Sequence, residues 1–330
     1  MAKIKAGTGG DRYVPYEERV GNESIVYFTR DLSPEGIVKI YERVKGNIGG
    51  KVAVKLHTGE PNGPNIIPPA WVKVFLEKEL PDATIIETNT YYKGDRYTTE
   101  QHRETLKVNG WTEFTTVDIT DEHGTTMLPV KGGKWFKEMS VGESLPEYDS
   151  LVALTHFKGH TMGGFGGSNK NIGIGCADGR TGKKWLHKKG RNQWGVVEEE
   201  LMEKISESTK ATIDYFGKNV TYVNVLRNIS VSCDCEGVGA EPVVTPNIGI
   251  LASVDIVAVD AASVDLIYAL SEEDRHAMEE RISTRHGHRQ ISYMKELGMG
   301  NDKYVLIDID NGDVRITPEI AVADVKPFEN

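Results

Sequence analysis

The sequence predicts an α/β fold: a mostly parallel sheet with flanking helices and a small β-rich segment. Three observations carry this expectation. Apolar runs of strand length alternate along the chain with segments of helical period. The run LVALT (151–155) reads as a buried strand that leads straight into a glycine-rich stretch. Glycine is abundant, at 35 of 330 residues, as a chain with many tight turns requires. This length fits one large domain or two closely joined ones. The expected organisation is a polar arm over 1–24 and an α/β region over 25–330, with two lobes, about 25–180 and 195–330, around a cleft.

The elements follow in order. IVYFT (25–29) is a strand. Ser33-Pro34-Glu35 supplies an N-cap, a first-turn proline and a first-turn acid for a helix to about Val44. KVAVKL (51–56) is the next strand, and a helix follows Pro68-Pro69. ATIIET (83–88) is a strand, and the helix from about Thr99 to Val108 stops at Asn109-Gly110. Residues 113–145 form the short β-segments. Residues 195–216 are helical by period, with Val197, Leu201, Ile205 and Ile213 on one side and an acidic, solvated face over 198–207. VTYVNVL (220–226) and IGILA (248–252) are strands, and Asp255 caps a helix to about Leu270. Helices near 272–283 and 288–297 precede a hairpin around Asn311-Gly312. The basic run from Lys183-Lys184 to Arg191 reads as a loop over the pocket.

Composition excludes several classes. The formal net charge of −10 argues against a general nucleic-acid surface. Cys176, Cys233 and Cys235 are too few for a disulfide framework or an all-cysteine iron–sulfur cluster, and point to a reducing compartment. The N-terminus has no apolar signal-peptide core. The stretch Ile248–Leu270 holds Asp255, Asp260 and Asp265, too costly for a membrane span. A cytoplasmic protein is expected.

In parallel sheets ligands sit beyond the carboxyl ends of the strands, which singles out 57–65, 89–98, 156–176 and 227–246. The densest of these carries His156, Lys158, His160, Gly164, Gly166, Gly167, Ser168, Asn169, Lys170 and Asn171. Its glycines admit a ligand to the backbone. A helix starting at Ser168 or Asn169 would offer an anion site, and Lys170 a counter-charge or covalent anchor. The stretch is neither a Walker A loop nor a dinucleotide fingerprint. His57, Thr58, Gly59 and Glu60 can bind metal or serve acid–base chemistry; the alternative is a polar turn. Arg96 can grip a carboxylate or phosphate, or be a surface arginine. Cys233-Asp234-Cys235 can hold a soft or borderline metal, or be small buried thiols. His286-Gly287-His288 reads as a cap or surface feature.

These motifs resemble the family of domain of unknown function 362. The resemblance runs from Val26 to about Ile307. It rests on Lys55-Leu56-His57-Thr58-Gly59-Glu60-Pro61, on Asn89-Thr90 with Tyr92 and Arg96, and on His156-Phe157-Lys158-Gly159-His160. It continues through Gly164-Phe165-Gly166-Gly167, Lys170-Asn171, Gly175-Cys176-Ala177 and Cys233-Asp234-Cys235. Many members carry a cysteine-rich ferredoxin-like insertion between the positions of Lys188 and Trp194. This chain lacks it, so no iron–sulfur cluster is expected. The spacing of His160, Gly164, Phe165, Gly166, Gly167 and Lys170 is also similar to that of the nickel-pincer lactate racemases. That likeness implies a lactate-racemase-like fold, His160 as a base, Lys170 as the tether of a pincer nucleotide, and a nickel ligand near His187. It also implies a substrate- or cofactor-binding turn from Thr58 to Pro68. Asp95-Arg96 stands where the racemases have a catalytic histidine, which the paired-base mechanism needs.

The resulting assignment places His160, His156, Lys170 and Arg96 in catalysis. Thr58, Gly59, Gly164, Gly166, Gly167, Lys170 and Asn171 hold a cofactor, and His57, Glu60, His187, Cys233 and Cys235 ligate metal, nickel or zinc. The expected function is that of an enzyme moving a hydride or proton on a small hydroxy or oxo acid. The alternatives are a redox accessory that lost its ferredoxin insertion, or a non-catalytic anion- or metal-binding module. The expected partner is a small anionic ligand, with no nucleic acid or membrane; a homo-oligomer or a separate ferredoxin stays open.

Overall fold

The computed structural model describes residues 12–328; residues 1–11 of the expected arm lie outside them. The chain opens with β1 (Ser24–Thr29) and α1 (Pro34–Tyr41). The Ser33 hydroxyl caps α1 by accepting from the Gly36 N–H. Then come β2 (Val52–Lys55), α2 (Pro69–Glu79), β3 (Thr84–Glu87), α3 (Thr99–Val108) and β4 (Val117–Ile119). Thr98 and Gln101 form a capping box at α3. A two-stranded ribbon of β5 (Thr125–Pro129) and β6 (Glu138–Gly142) is the expected β-rich segment.

The central strand β7 (Ser150–His156) is buried along its whole length. It runs into a hairpin of β8 (Lys158–His160) and β9 (Gly164–Gly166), then α4 (Ser168–Gly175) and α5 (Gly182–His187). The long α6 (Glu198–Phe216) leads to β10 (Val220–Leu226) and β11 (Gly249–Ser253). Asp255 caps α7 (Ile256–Ala269), accepting from the Val257 and Ala258 N–H groups. The chain closes with α8 (Glu272–Thr284), α9 (Arg289–Glu296), β12 (Tyr304–Asp308), β13 (Val314–Ile316) and α10 (Pro318–Val322).

Nine strands form one sheet in the order β13-β12-β1-β11-β10-β7-β2-β3-β4. Strands β10, β7, β2, β3 and β4 pair in parallel, as do β1 and β12; β11 and β13 run against the rest. Strands from both expected lobes thus share one sheet. Alternation along β7 divides its side chains between two cores. Val152 and Leu154 pack with Ile37, Ile40, Phe75 and Leu106 of α1–α3. Leu151 and Ala153 pack with Ile172, Phe216 and the apolar side of α7. Helices therefore cover both faces, and the loops at the strands' carboxyl ends remain free to converge.

Two expectations are corrected. The basic run after Lys183 is not a loop throughout: α5 carries Lys183 and His187 into the interior. The acidic side of α6 is not wholly solvated either. Glu207 is fully buried and accepts the N–H groups of Lys134, Trp135 and Phe136 and the Tyr293 hydroxyl. Glu203 is buried against Arg289 and Lys134. These carboxylates satisfy a turn and two cations that no local periodicity announces. No helix among the described residues is long and apolar enough to cross a membrane.

The segment before β1 is tied down by charge. Arg19 pairs with Asp265 of α7 at 2.6 Å, both side chains at most 3% exposed, and Tyr13 and Tyr304 donate to the same carboxylate. Replacing one partner of such a pair strands the other. Arg19→Ala is expected to lower stability by about 3–5 kcal/mol in chemical denaturation; a change under about 1 kcal/mol would show that the pair is solvated.

Candidate functional site

The loops after β2, β3, β7 and β10 enclose a cavity of about 300 Å3. It is built around one sulfur. Cys233 lies in the loop after β10, at the start of a short 3-10 turn over Asp234–Gly239, and its Sγ accepts from the Cys235 N–H at 3.4 Å. The hydrogen bond from the Cys235 thiol, and then, against burial, the Lys170 ammonium and hydrogen bonds from His160 and His57, hold Cys233 far below the ordinary thiol range. Cys235 moves the opposite way, so the pair gives up one proton readily and holds the other. Cys176 is pushed up to about 12 by burial and is inert.

The imidazoles are oriented by backbone. His160 ends β8, and its Nδ1 accepts the N–H of Gly163 at 2.8 Å and of Met162 at 3.2 Å across the hairpin turn. The Nδ1 of His57 accepts from the Gly59 N–H at 2.9 Å. An Nδ1 that accepts leaves the proton on Nε2. Both rings therefore present Nε2–H as the donor to the thiolate. Burial, then the Lys170 charge for His160 and the Arg96 charge for His57, lower both pKa values and keep the rings neutral. Lys170, in the first turn of α4, brings its Nζ within 3.9 Å of Cys233 Sγ. His160 and Lys170 share the cavity that the hairpin and α4 bend around.

The expected anion site at the start of α4 is already occupied. Asp260 of α7 takes the Ser168 and Asn169 N–H groups at 2.8 and 2.9 Å. A Cβ on Gly167 would stand 2.5 Å from the Asp260 carboxylate, so glycine is needed there. The α4 terminus is thus anchored by protein rather than offered to a ligand. Asn171 ties α4 to Lys55 O and Thr155 Oγ1.

The other sequence-assigned residues divide. Gly166, Gly167, Lys170, Asn171, Arg96, His57, His160, His187, Cys233 and Cys235 line the cavity. His156, Thr58, Gly59, Glu60 and Gly164 do not. His156 lies between Asp234, at 2.9 Å from Nδ1, and the Arg227 carbonyl, at 2.7 Å from Nε2. With Lys158, at 2.8 Å, it fixes Asp234 and so turns the two flanking cysteines toward the cavity. Thr58 gives its N–H and hydroxyl to Glu87, and Gly59 supplies the positive φ of the turn. Gly164 supplies another, close against Gly287. Glu60 binds Arg96 at 2.8 Å and also Tyr92. Arg96 lies 3.7 Å from Glu87 as well, so its charge is answered within the protein.

Sequence reasoning missed Glu87, Lys183, Tyr91 and Trp194. Burial would raise Glu87, but Lys55, at 2.9 Å, and Arg96 hold it well below the usual carboxylate range. Lys183, lowered to about 8 by burial, donates to Thr88 and Asn89. His187 donates from Nδ1 to the Lys183 carbonyl at 2.7 Å, and burial lowers it to about 4. Its Nε2 is left unprotonated on the cavity side. For metal, the donor atoms of His160, Cys233 and Cys235 lie within 4.8 Å of one another.

A depressed thiol reacts as thiolate at neutral pH. Iodoacetamide is expected to label Cys233 of reduced, chelator-treated protein at pH 7, with Cys176 untouched. The rate should hold level as pH falls well below 8.5, the free-cysteine value, and drop only when the thiolate protonates. Labelling that appears only above pH 8, mapped by peptide mass spectrometry, contradicts the arrangement.

Solved structures similar to the chain include the lactate racemase apoprotein from Thermoanaerobacterium thermosaccharolyticum, at 17% identity and a TM-score of 0.40, covering 78% of this chain and 59% of that one. A protein from Thermotoga maritima matches at 14% identity and a TM-score of 0.41, covering 76% of this chain and 57% of that one. The chain thus spans less than two thirds of either neighbour's length. No curated protein matches it. The profile of the family described as domain of unknown function DUF362 matches residues 52–265, and the chain belongs to that family.

Proposed function

We propose that the protein is an enzyme acting on a small oxo or hydroxy acid, with Cys233 as a thiolate nucleophile or base and Lys170 as the seat of the substrate carboxylate. The observation that carries this reading is what gathers at the Cys233 sulfur: the Lys170 Nζ at 3.9 Å, the Cys235 N–H at 3.4 Å, and the His160 and Cys235 donor atoms within 4.8 Å, with His57 also bonded to it. Arg96, Lys55 and Lys158 already face carboxylates, whereas Lys170 has no carboxylate partner among the described residues. Its ammonium faces the cavity beside the Cys233 sulfur, where a substrate carboxylate can reach it.

For an oxo acid the chemistry balances without further reagents. The Cys233 sulfur bonds to the carbonyl carbon, the C=O π pair moves to oxygen, and the proton on Cys235 passes to that oxygen. The Nε2–H groups that held the thiolate then face the new oxygen. For a hydroxy acid, the unprotonated His187 Nε2 takes a hydrogen bond from the hydroxyl and orients it.

A second reading is favoured by the grouping of His160, Cys233 and Cys235. Two thiolates and an imidazole suit zinc or nickel, and three protein ligands leave a position open. Such a metal would supply Lewis-acid polarisation. Metal-bound histidines usually donate from their second nitrogen, whereas His160 accepts there, which favours the thiolate reading. A pincer nucleotide finds an amine at Lys170, but the phosphate donors of the α4 terminus are spent on Asp260.

The test is carbon NMR of reduced protein with 2-oxopropanoate labelled at C2. The expected result is a tetrahedral carbon signal for the bound acid, lost in Cys233→Ser. An unshifted carbonyl at saturation contradicts nucleophilic addition. Uptake of one zinc, weakened about 10–100-fold or more in Cys235→Ser, selects the metal reading instead.

A further inference from the structure

We infer that the acid taken by this cavity carries an aromatic or bulky apolar tail beside its carboxylate. The inference deepens the proposed function and rests on its placement of a carboxylate at Lys170.

The cavity has two unlike sides. The strand-end side carries Lys170, the cysteines, His57 and His160. The other is a wall of rings. Tyr91, His187 and Trp194 meet pairwise: Tyr91 stacks on His187 at 6.2 Å, while Trp194 stands edge-on to Tyr91 at 5.3 Å and to His187 at 5.0 Å. Met162, Leu201 and Ile205 continue the apolar surface. Edge-to-face contact is a preferred aromatic arrangement, so the wall is built before any ligand arrives. Trp194 lines the cavity and remains 38% exposed, a large apolar group left partly uncovered by the described residues. A propanoate-sized acid seated at Lys170 would have no group to offer that wall. At about 300 Å3 the cavity is at the lower end of pockets that hold drug-sized molecules.

Two other occupants of an aromatic wall are disfavoured. Aromatic rings hold cations, but the Lys170 and Lys183 side chains line the same space, and Lys183 is bonded only to the neutral acceptors of Thr88 and Asn89. A nucleotide would stack its base there, but its phosphate would lack the α4 terminus that Asp260 fills. The charge and the shape favour a monoanion with one ring or branched chain.

Calorimetric titration of the full-length, reduced protein tests this, using 3-phenylpropanoate, propanoate, 3-phenylpropylamine and adenosine monophosphate as probes. The expected result is that 3-phenylpropanoate binds at least about tenfold tighter than propanoate and tighter than the amine or the nucleotide. Trp194→Ala should weaken 3-phenylpropanoate about tenfold and leave propanoate unchanged, and Trp194→Phe should restore most of the loss. Lys170→Met should weaken both acids. Equal affinity for the two acids, tighter binding of the amine or the nucleotide, or no detectable binding of 3-phenylpropanoate overturns the inference. Neither acid has a carbonyl carbon that a thiolate can attack. A failure here is therefore separate from a failure of the labelled oxo-acid experiment, which tests Cys233 alone.

Discussion

A buried anion is stable only where donors are brought to it, and the thiolate of Cys233 sets that requirement for this fold. Its donors arrive from separate places in the chain: His57 after β2, His160 and Lys170 after β7, and Cys235 beside it after β10. No local segment could assemble them. A parallel sheet does so because its strands end along one edge, and each loop leaves that edge within reach of the others. The run of parallel strands from β10 through β7 to β2 is the frame that places this chemistry.

Around this sulfur the supporting groups are mostly charged and buried, and they are answered in pairs. Asp234 is held by His156 and Lys158, and burial is outweighed there by the two cations. Glu87 answers Lys55 and, with Glu60, Arg96. Asp260, raised to about 6 by burial, still takes two N–H groups at the start of α4 and so sets where Lys170 points. Several of these groups line the cavity, but their charges are answered by one another. They fix the directions of the few that face a substrate, which matters because a misplaced catalytic group loses most of its effect.

Much of this was legible in the sequence, for identifiable reasons. Alternating strand and helix patterns gave the sheet, and the rule for strand ends named the four loops that form the cavity. Caps at Ser33 and Asp255 marked helix starts through side chains that satisfy free N–H groups. What spacing could not convey was which partner each polar residue meets across the fold. His156 and His160 look alike in the sequence, yet His156 ends β7 against Asp234, while His160 ends β8 in the hairpin beyond it and lines the cavity. Arg96 looked free and is bound to Glu60. The α4 terminus looked open and is closed by an aspartate from a helix far along the chain. Trp194 carried no signal at all, because a cavity wall is a tertiary fact.

Two neutral imidazoles direct Nε2–H at Cys233, and the tautomer of each ring reports whether they do. Long-range proton–nitrogen NMR of histidine-labelled, reduced, metal-free protein at pH 7 reads this at every ring. The account predicts Nε2–H tautomers for His57 and His160 and the Nδ1–H tautomer for His187. Nδ1–H tautomers at His57 and His160 would mean that no imidazole donates to the sulfur, and the thiolate-centred account would be contradicted.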